Sequence, residues 1–329
     1  MVFSIFTLAG ALAALPAAFA GFDAGSKSNM AVYWGQNSFG QGSGPNVQER
    51  LSYYCDKAEF DIIPISFLNG MNPPHLNFAN AGDNCTTFPD SELLDCPQLE
   101  EDIAACQAAG KTIVLSMGGA TYTEGGFPSA EEATASAQNI WAMFGPEQPD
   151  STVLRPFGSA VVDGFDYDFE SSTTNMVPFG VEMRRLMDEA TAGGDKPYYI
   201  TAAPQCPYPD VANEDALAGN VFFDFIMIQF YNNACGVNTY VEGSDTQTVF
   251  NIATWDEWAH NVSLNPAVKI LLGIPANVGA GAGYTEGTAL AGAIDYSEKL
   301  ESFGGVMMWD MSQLYANEGF LEEVAGSLA

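Results

Sequence analysis

The sequence predicts an α/β protein folded as a single (β/α)8 TIM barrel. Three observations predict it. Short β-rich runs alternate with longer helical patterns eight times along 329 residues, and the chain length suits one large barrel. Several of those runs are apolar without alternation, as strands must be when helices cover both faces of a parallel sheet. Past residue 20 no Ser/Thr-rich linker, low-complexity tract or charge block divides the chain, so all eight units belong together. A doubly wound open sheet shares the same alternation and is the alternative topology.

The strands are expected at residues 30–34, 60–68, 111–117, 161–169, 198–204, 222–230, 268–274 and 303–309. The runs Ile113-Val114-Leu115-Ser116-Met117 and Lys269-Ile270-Leu271-Leu272-Gly273-Ile274 show the unbroken apolar type. Helices are expected at 97–109, 129–144, 176–192, 248–261 and 286–301. The first opens with Pro97 and acidic residues and is followed by Gly110, all boundary signals. The second opens on Ser129-Ala130-Glu131-Glu132, a partial capping box. In a barrel of this kind chemistry belongs at the C-terminal ends of the strands.

Residues 1–20 carry no charged side chain and end in Ala18-Phe19-Ala20, a small-x-small pattern. They read as a secretory signal peptide, leaving 21–329 as the folded domain; a retained membrane anchor is the other reading. Six cysteines (Cys55, Cys85, Cys96, Cys106, Cys206 and Cys235) form an even set suited to an oxidising, extracellular compartment. Their spacing leaves every pairing open. Asn84-Cys85-Thr86 and Asn261-Val262-Ser263 are possible N-glycosylation sequons.

There are 41 acidic and only 10 basic residues, a formal charge of −31, although charged residues make up just 16% of the chain. The imbalance is therefore a scarcity of Lys and Arg. It argues against nucleic acid and anionic membrane surfaces as partners. The aromatic and apolar content excludes a disordered acidic chain. With no CxxC and two isolated histidines, His75 and His260, neither a zinc site nor His-dependent nucleophilic catalysis is expected. No GxSxG occurs, and Gly279-Ala280-Gly281-Ala282-Gly283 misses the dinucleotide fingerprint. No cofactor or metal is expected, and a monomer is.

The most informative stretch is Asp163-Gly164-Phe165-Asp166-Tyr167-Asp168-Phe169-Glu170. Period-two geometry puts Asp166, Asp168 and Glu170 on one face of a strand and the three aromatics on the other. On a barrel strand the aromatics pack against helices while the carboxyls enter the barrel. Three close carboxyls cannot all ionise cheaply, so at least one holds its proton. Glu170, nearest the rim, is the candidate proton donor. Two other readings are a Ca²⁺ or Mg²⁺ site, for which alternate strand positions wrap an ion poorly, and a solvated strand face.

This stretch resembles the DxxDxDxE signature of glycoside hydrolase family 18, the chitinases. Ser116-Met117-Gly118-Gly119 resembles the family's SxGG, while Tyr33-Trp34-Gly35-Gln36-Asn37 and Gln229-Phe230-Tyr231-Asn232-Asn233 resemble motifs of the plant and fungal class III, hevamine-like branch. Residues 304–309 resemble its last strand. The resemblance implies Glu170 as general acid and later base, Asp168 orienting the substrate's acetamido group, Asp166 supporting it, and Tyr231 hydrogen-bonded to the acetamido carbonyl. It implies substrate contacts from Tyr33, Gln36, Gly119, Gln229, Asn232 and Trp309, with Tyr33 and Trp309 as platforms for sugar rings. Phe67 and Tyr122 are weaker candidates. It also implies non-proline cis peptides at Ser66-Phe67 and Trp309-Asp310, and the disulfides Cys55–Cys106, Cys85–Cys96 and Cys206–Cys235.

One carboxyl at the scissile bond does not make the usual retaining pair, so the substrate-assisted route, with the sugar's N-acetyl oxygen as nucleophile, is the one implied. The expected protein is a secreted endo-acting chitinase acting on chitin or chitooligosaccharides. A catalytically silent carbohydrate-binding or inhibitory relative would be expected to lack the acid, which this chain keeps. An endo-β-N-acetylglucosaminidase acting on N-glycans is the other enzymatic reading.

Overall fold

In the computed structural model, which describes residues 21–56 and 59–328, eight parallel strands close into a barrel. The expected leader lies outside the described residues. The strands are β1 (Asn29–Val32), β2 (Ile62–Met71), β3 (Thr112–Gly118), β4 (Gly164–Asp168), β5 (Tyr199–Ala202), β6 (Phe225–Gln229), β7 (Lys269–Pro275) and β8 (Phe303–Trp309). Each pairs with its sequence neighbours, and β1 pairs with both β8 and β2, so the sheet has closed instead of opening as a doubly wound fold.

Every expected strand is present, several of them shorter. Around them run α1 (Leu51–Cys55), α2 (Pro97–Ala108), α3 (Ala130–Phe144), α4 (Met176–Ala192), α5 (Glu214–Leu217), α6 (Ile252–Asn261), α7 (Gly287–Ser297), α8 (Met311–Tyr315) and α9 (Phe320–Ser327). The Ser129 side chain accepts the Glu132 N–H at 3.2 Å, so the expected cap forms. Four of the helices, α1, α5, α8 and α9, had no sequence expectation. With 5, 4, 5 and 8 residues they are too short to display a helical period. A short antiparallel strand, Pro74–Leu76, also folds back on the far end of β2.

Strand alternation divides the core in two. Inside the barrel lie Ala31, Tyr33, Ile62, Phe67, Ala203, Phe225, Met227, Tyr231, Leu271 and Met307, with Phe22 at the bottom and Trp309 at the top. Facing the helices are the opposite residues, among them Val32, Ile63, Ile65, Phe165, Tyr167 and Phe169. Burial of each such large side chain contributes about 1.5–3 kcal/mol.

The bottom of the barrel is latched by a repeated device. Asp61, Asp163 and Asp224 each stand immediately before a strand, and each accepts a backbone N–H from the neighbouring strand: Met30 at 3.0 Å, Ile113 at 2.7 Å and Ile200 at 2.8 Å. Lys196 pairs with Asp163 and Arg184 with Asp224. Lys111, beside Asp61, donates to the Phe60 carbonyl.

Three disulfides form: Cys55–Cys106 between α1 and α2, Cys85–Cys96 beneath a small hairpin, and Cys206–Cys235 between the loops after β5 and β6. The Ser66-Phe67 and Trp309-Asp310 peptides are cis. Among the described residues no helix is long and apolar enough to cross a membrane. The Cys55–Cys106 bridge spans 51 residues, and a crosslink of that reach restrains the unfolded chain strongly. The double substitution C55A/C106A is expected to lower the unfolding free energy by roughly 2–5 kcal/mol, read from guanidinium unfolding under non-reducing conditions.

Candidate active site

The acidic face of β4 lies inside the barrel, as the alternation requires. Asp166 is fully buried and sits in register with Ser116 on β3 and Thr201 on β5. Both hydroxyls donate to it at 2.7 Å, and the Tyr33 hydroxyl donates from β1's end at 2.6 Å. One turn of the pleat higher, Asp168 is 3% exposed and accepts a hydrogen bond from Gln229 Nε2 at 2.8 Å. Gln229 is itself fixed, because the same nitrogen donates to the Ala203 carbonyl. Glu170, two residues further and past the end of the strand, is exposed.

This gradient of burial sets the electrostatics. Burial pushes the Asp166 carboxyl up, against the pull of its three hydroxyl donors. Asp168 is pushed well above the ordinary carboxylate range, first by burial and then by the charges of Glu170, Asp166 and Asp210. Glu170 is also raised, by partial burial of its inner side. The Tyr231 phenol is raised well above its usual value by burial and by the carboxyls of Asp168 and Glu170. It stays neutral, and among the described residues no group hydrogen-bonds its hydroxyl. The site therefore holds a proton-rich carboxyl ladder, one member of which meets solvent, beside a free phenol donor.

Two glycines let β3 approach this ladder. Gly118 has φ +110°, and a Cβ there would lie 2.5 Å from the Asp168 carbonyl oxygen. Gly119 has φ +76°, its N–H donates to that same carbonyl at 2.7 Å, and a Cβ would meet the Phe67 ring at 2.7 Å. No other residue fits either place without displacing the Asp168 backbone or the ring.

Residues 29–288 match the family described as glycosyl hydrolases family 18. The chain belongs to that family. It is 52% identical over 326 residues to "Endochitinase 33" of Trichoderma harzianum, covering 99% of both chains. It is 47% identical to the "Class III chitinase" of Arthroderma benhamiae, over 99% of this chain and 93% of that one. The crystal structure of the ICChI chitinase of Ipomoea carnea superposes with a TM-score of 0.70 at 25% identity, covering 91% of this chain and all of the other.

The remaining predicted residues of this family 18 barrel divide into two groups. Trp309 is partly exposed at the mouth and stacks on Phe67, centroids 6.0 Å apart and rings 19° from parallel, so it presents a flat floor to the cleft. Tyr33 does not. It is 1% exposed, with its ring 5.5 Å from that of Trp309 and its hydroxyl committed to Asp166, so it supports the ladder from within. Tyr122 is likewise buried, against Phe169, with its oxygen accepting the Gly126 N–H.

Gln36 and Asn232, expected to offer hydrogen bonds outward, hold loops in place. Gln36 Nε2 donates to the carbonyls of Ser66 and Asn77. Asn232, in the left-handed region at φ 57°, exchanges two bonds with Ala282 and so fixes the glycine-rich loop after β7. In both cases the amide finds partners in chain segments that are remote in sequence.

Sequence reasoning did not single out Thr201, Asp210, Asn213 or Asp310, all of them buried at this end of the barrel. Thr201 was findable: it falls on an inward-facing position of an expected strand, level with Asp166. Among the described residues no group of three or more His, Cys, Asp or Glu could hold a metal ion.

Removing the Asp166 carboxyl strands three buried hydroxyls. D166A is expected to cost about 3–5 kcal/mol of stability, and D166N clearly less, by urea unfolding. The raised carboxyls also fix a sign. Asp168 holds its proton more tightly in the folded state, so its contribution to stability is complete below the unfolded value near ~4 and is lost as pH rises through the raised one. D168N is therefore expected to lose less melting temperature than the unmodified protein between about pH 4 and pH 8.

Proposed function

We propose that the chain is a secreted, endo-acting chitinase that cleaves β-1,4 bonds between N-acetylglucosamine units with retention, through substrate assistance. One observation carries this reading. Of the four carboxyls that gather at the top of β4, namely Asp166, Asp168, Glu170 and Asp210, only Glu170 is exposed. A double-displacement enzyme needs two carboxyls reaching the sugar, one as acid and one as nucleophile. Here the second is replaced by the substrate's own acetamido oxygen.

In this mechanism protonated Glu170 donates to the glycosidic oxygen as the C1–O bond breaks. The acetamido carbonyl oxygen attacks C1, forming a bicyclic oxazolinium ion and releasing the leaving sugar as an alcohol. The Asp168 carboxyl accepts the acetamido N–H and orients the group, while the Tyr231 hydroxyl donates to the acetamido carbonyl and aligns it. Glu170, now a carboxylate, takes a proton from water as that water adds to C1, which reopens the ring with the starting configuration. Burial of Asp166 and its three donors keeps the ladder in register throughout. Trp309 forms the floor under the reacting sugar, and Gln229 holds Asp168.

The leader expected at residues 1–20 and the three disulfides support export, to the medium or cell wall, of the domain formed by residues 21–329. The names of the fungal relatives, an endochitinase and a class III chitinase, support chitin or chitooligosaccharides as substrate. The enzyme acts as a monomer and needs no cofactor in this reading.

The tests follow from Glu170. E170Q should lose turnover of chitooligosaccharides by at least about a thousandfold while still binding them, measured by product release and calorimetry. Early products analysed by proton NMR should carry the β-anomer at the new reducing end; an initial α-anomer contradicts the mechanism. Because Glu170 must hold its proton, the rate should fall as pH rises through its raised value, placing the optimum on the acidic side of neutrality.

A further inference from the structure

The ladder of β4 ends at Asp168, whose carbonyl is held by the Gly119 N–H. Beyond it the next carbonyl, that of Phe169, belongs to the peptide unit that carries the nitrogen of Glu170. It accepts a hydrogen bond from the side chain of Asn213, in the loop after β5, with Nδ2 at 3.0 Å. Among the described residues the Glu170 side chain has no hydrogen bond of its own, so its carboxyl goes where this peptide directs it.

Asn213 is well held. It is 3% exposed, and its backbone N–H and the other Nδ2 proton both reach Asp210 Oδ2, at 3.0 and 2.8 Å. Asp210, 4% exposed, also accepts the backbone N–H groups of Ala212 and Gln205. Among the described residues the buried Oδ1 atom of Asn213 has no partner, so this amide serves through its two N–H bonds. The loop is tied down on both sides: Cys206 is bridged to Cys235, its carbonyl accepts Asn251 Nδ2 and Trp255 Nε1, and Thr173 Oγ1 donates to the Ala212 carbonyl.

We propose that Asn213, oriented by Asp210, is a positioning residue for Glu170, fixing the Phe169–Glu170 peptide and hence the carboxyl's place over the scissile bond. The inference rests on Glu170 being the acid. Asp210 has a second effect, because its charge faces Asp168. The other titratable groups facing Asp168 are Asp166 and Glu170 on its own segment, Tyr33 from the end of β1 and Tyr231 from the end of β6.

The test compares E170Q, N213A and D210N with the unmodified enzyme on a soluble chitooligosaccharide, each variant first checked by its melting temperature. N213A should lower kcat by about 10- to 100-fold with KM changed by less than about threefold, since misplacement of a reacting group acts on the chemical step. D210N removes the charge and replaces one acceptor oxygen by an NH2 group among N–H donors, so kcat should fall as Asn213 loosens, and the pH–rate profile should move to lower pH by about half a unit as Asp168 loses a like-charged neighbour. Near-normal turnover in E170Q would remove the reading of Glu170 itself. With E170Q inactive, folded N213A retaining kcat within about twofold, or a defect confined to KM, overturns the positioning role. Should N213A not fold, D210N decides: an unchanged kcat in the folded variant overturns the proposal, whatever its pH profile.

Discussion

The structure depends on keeping a row of carboxyls inside a barrel. An unpaired buried carboxylate would be among the most destabilising groups a core can contain. Asp166 is tolerated because three strands each contribute a hydroxyl at its level: Tyr33, Ser116 and Thr201. That single arrangement fixes the register of β3, β4 and β5 against one another. It also sets the height of Asp168 and, two residues further, of Glu170. The ladder rises from full burial to exposure, so its members differ in environment though not in chemistry, and such divergence separates a proton donor from its supporting groups.

Several of the chain's few cations are placed at the other end of the barrel. Helices in this fold run from the top to the bottom, so their carbonyl-rich C-terminal ends gather below, where positive charge is stabilised. Arg155 donates to the carbonyls of Ala142, Gly158 and Ala160, and Lys27 to those of Glu298 and Leu300. Lys111, Lys196 and Arg184 stand beside the aspartates that latch the strand starts. Among the described residues no cation contributes to the shift of Asp168 at the top. The scarcity of Lys and Arg is thus also a distribution, and it leaves the carboxyls at the barrel mouth free to hold protons.

The barrel was legible because its signals are local. Unbroken apolar runs, a Ser129 cap and the glycines after helices are properties of neighbouring residues, and all eight strands lie where those signals put them. The inward direction of Asp166 and Asp168 was equally legible, since strand alternation admits only two faces. What escaped were contacts between distant segments. Tyr33 read as a sugar platform because it stands at a strand end, but its hydroxyl crosses the barrel to Asp166. Gln36 and Asn232 read as ligand donors, yet they bond to segments 30 and 50 residues away. Asn213 carried no local signal at all, because its role exists only where the loop after β5 meets the end of β4.

The sequence by itself therefore determined the strand order, the shared face of the three carboxyls and the family they signal, for these follow from period, spacing and motif along one segment. Only the tertiary structure decided which of those carboxyls meets solvent, which polar side chains are already engaged within the protein, and where the scarce cations sit. Those properties depend on burial and on hydrogen-bond partners supplied by remote segments, which no local pattern encodes.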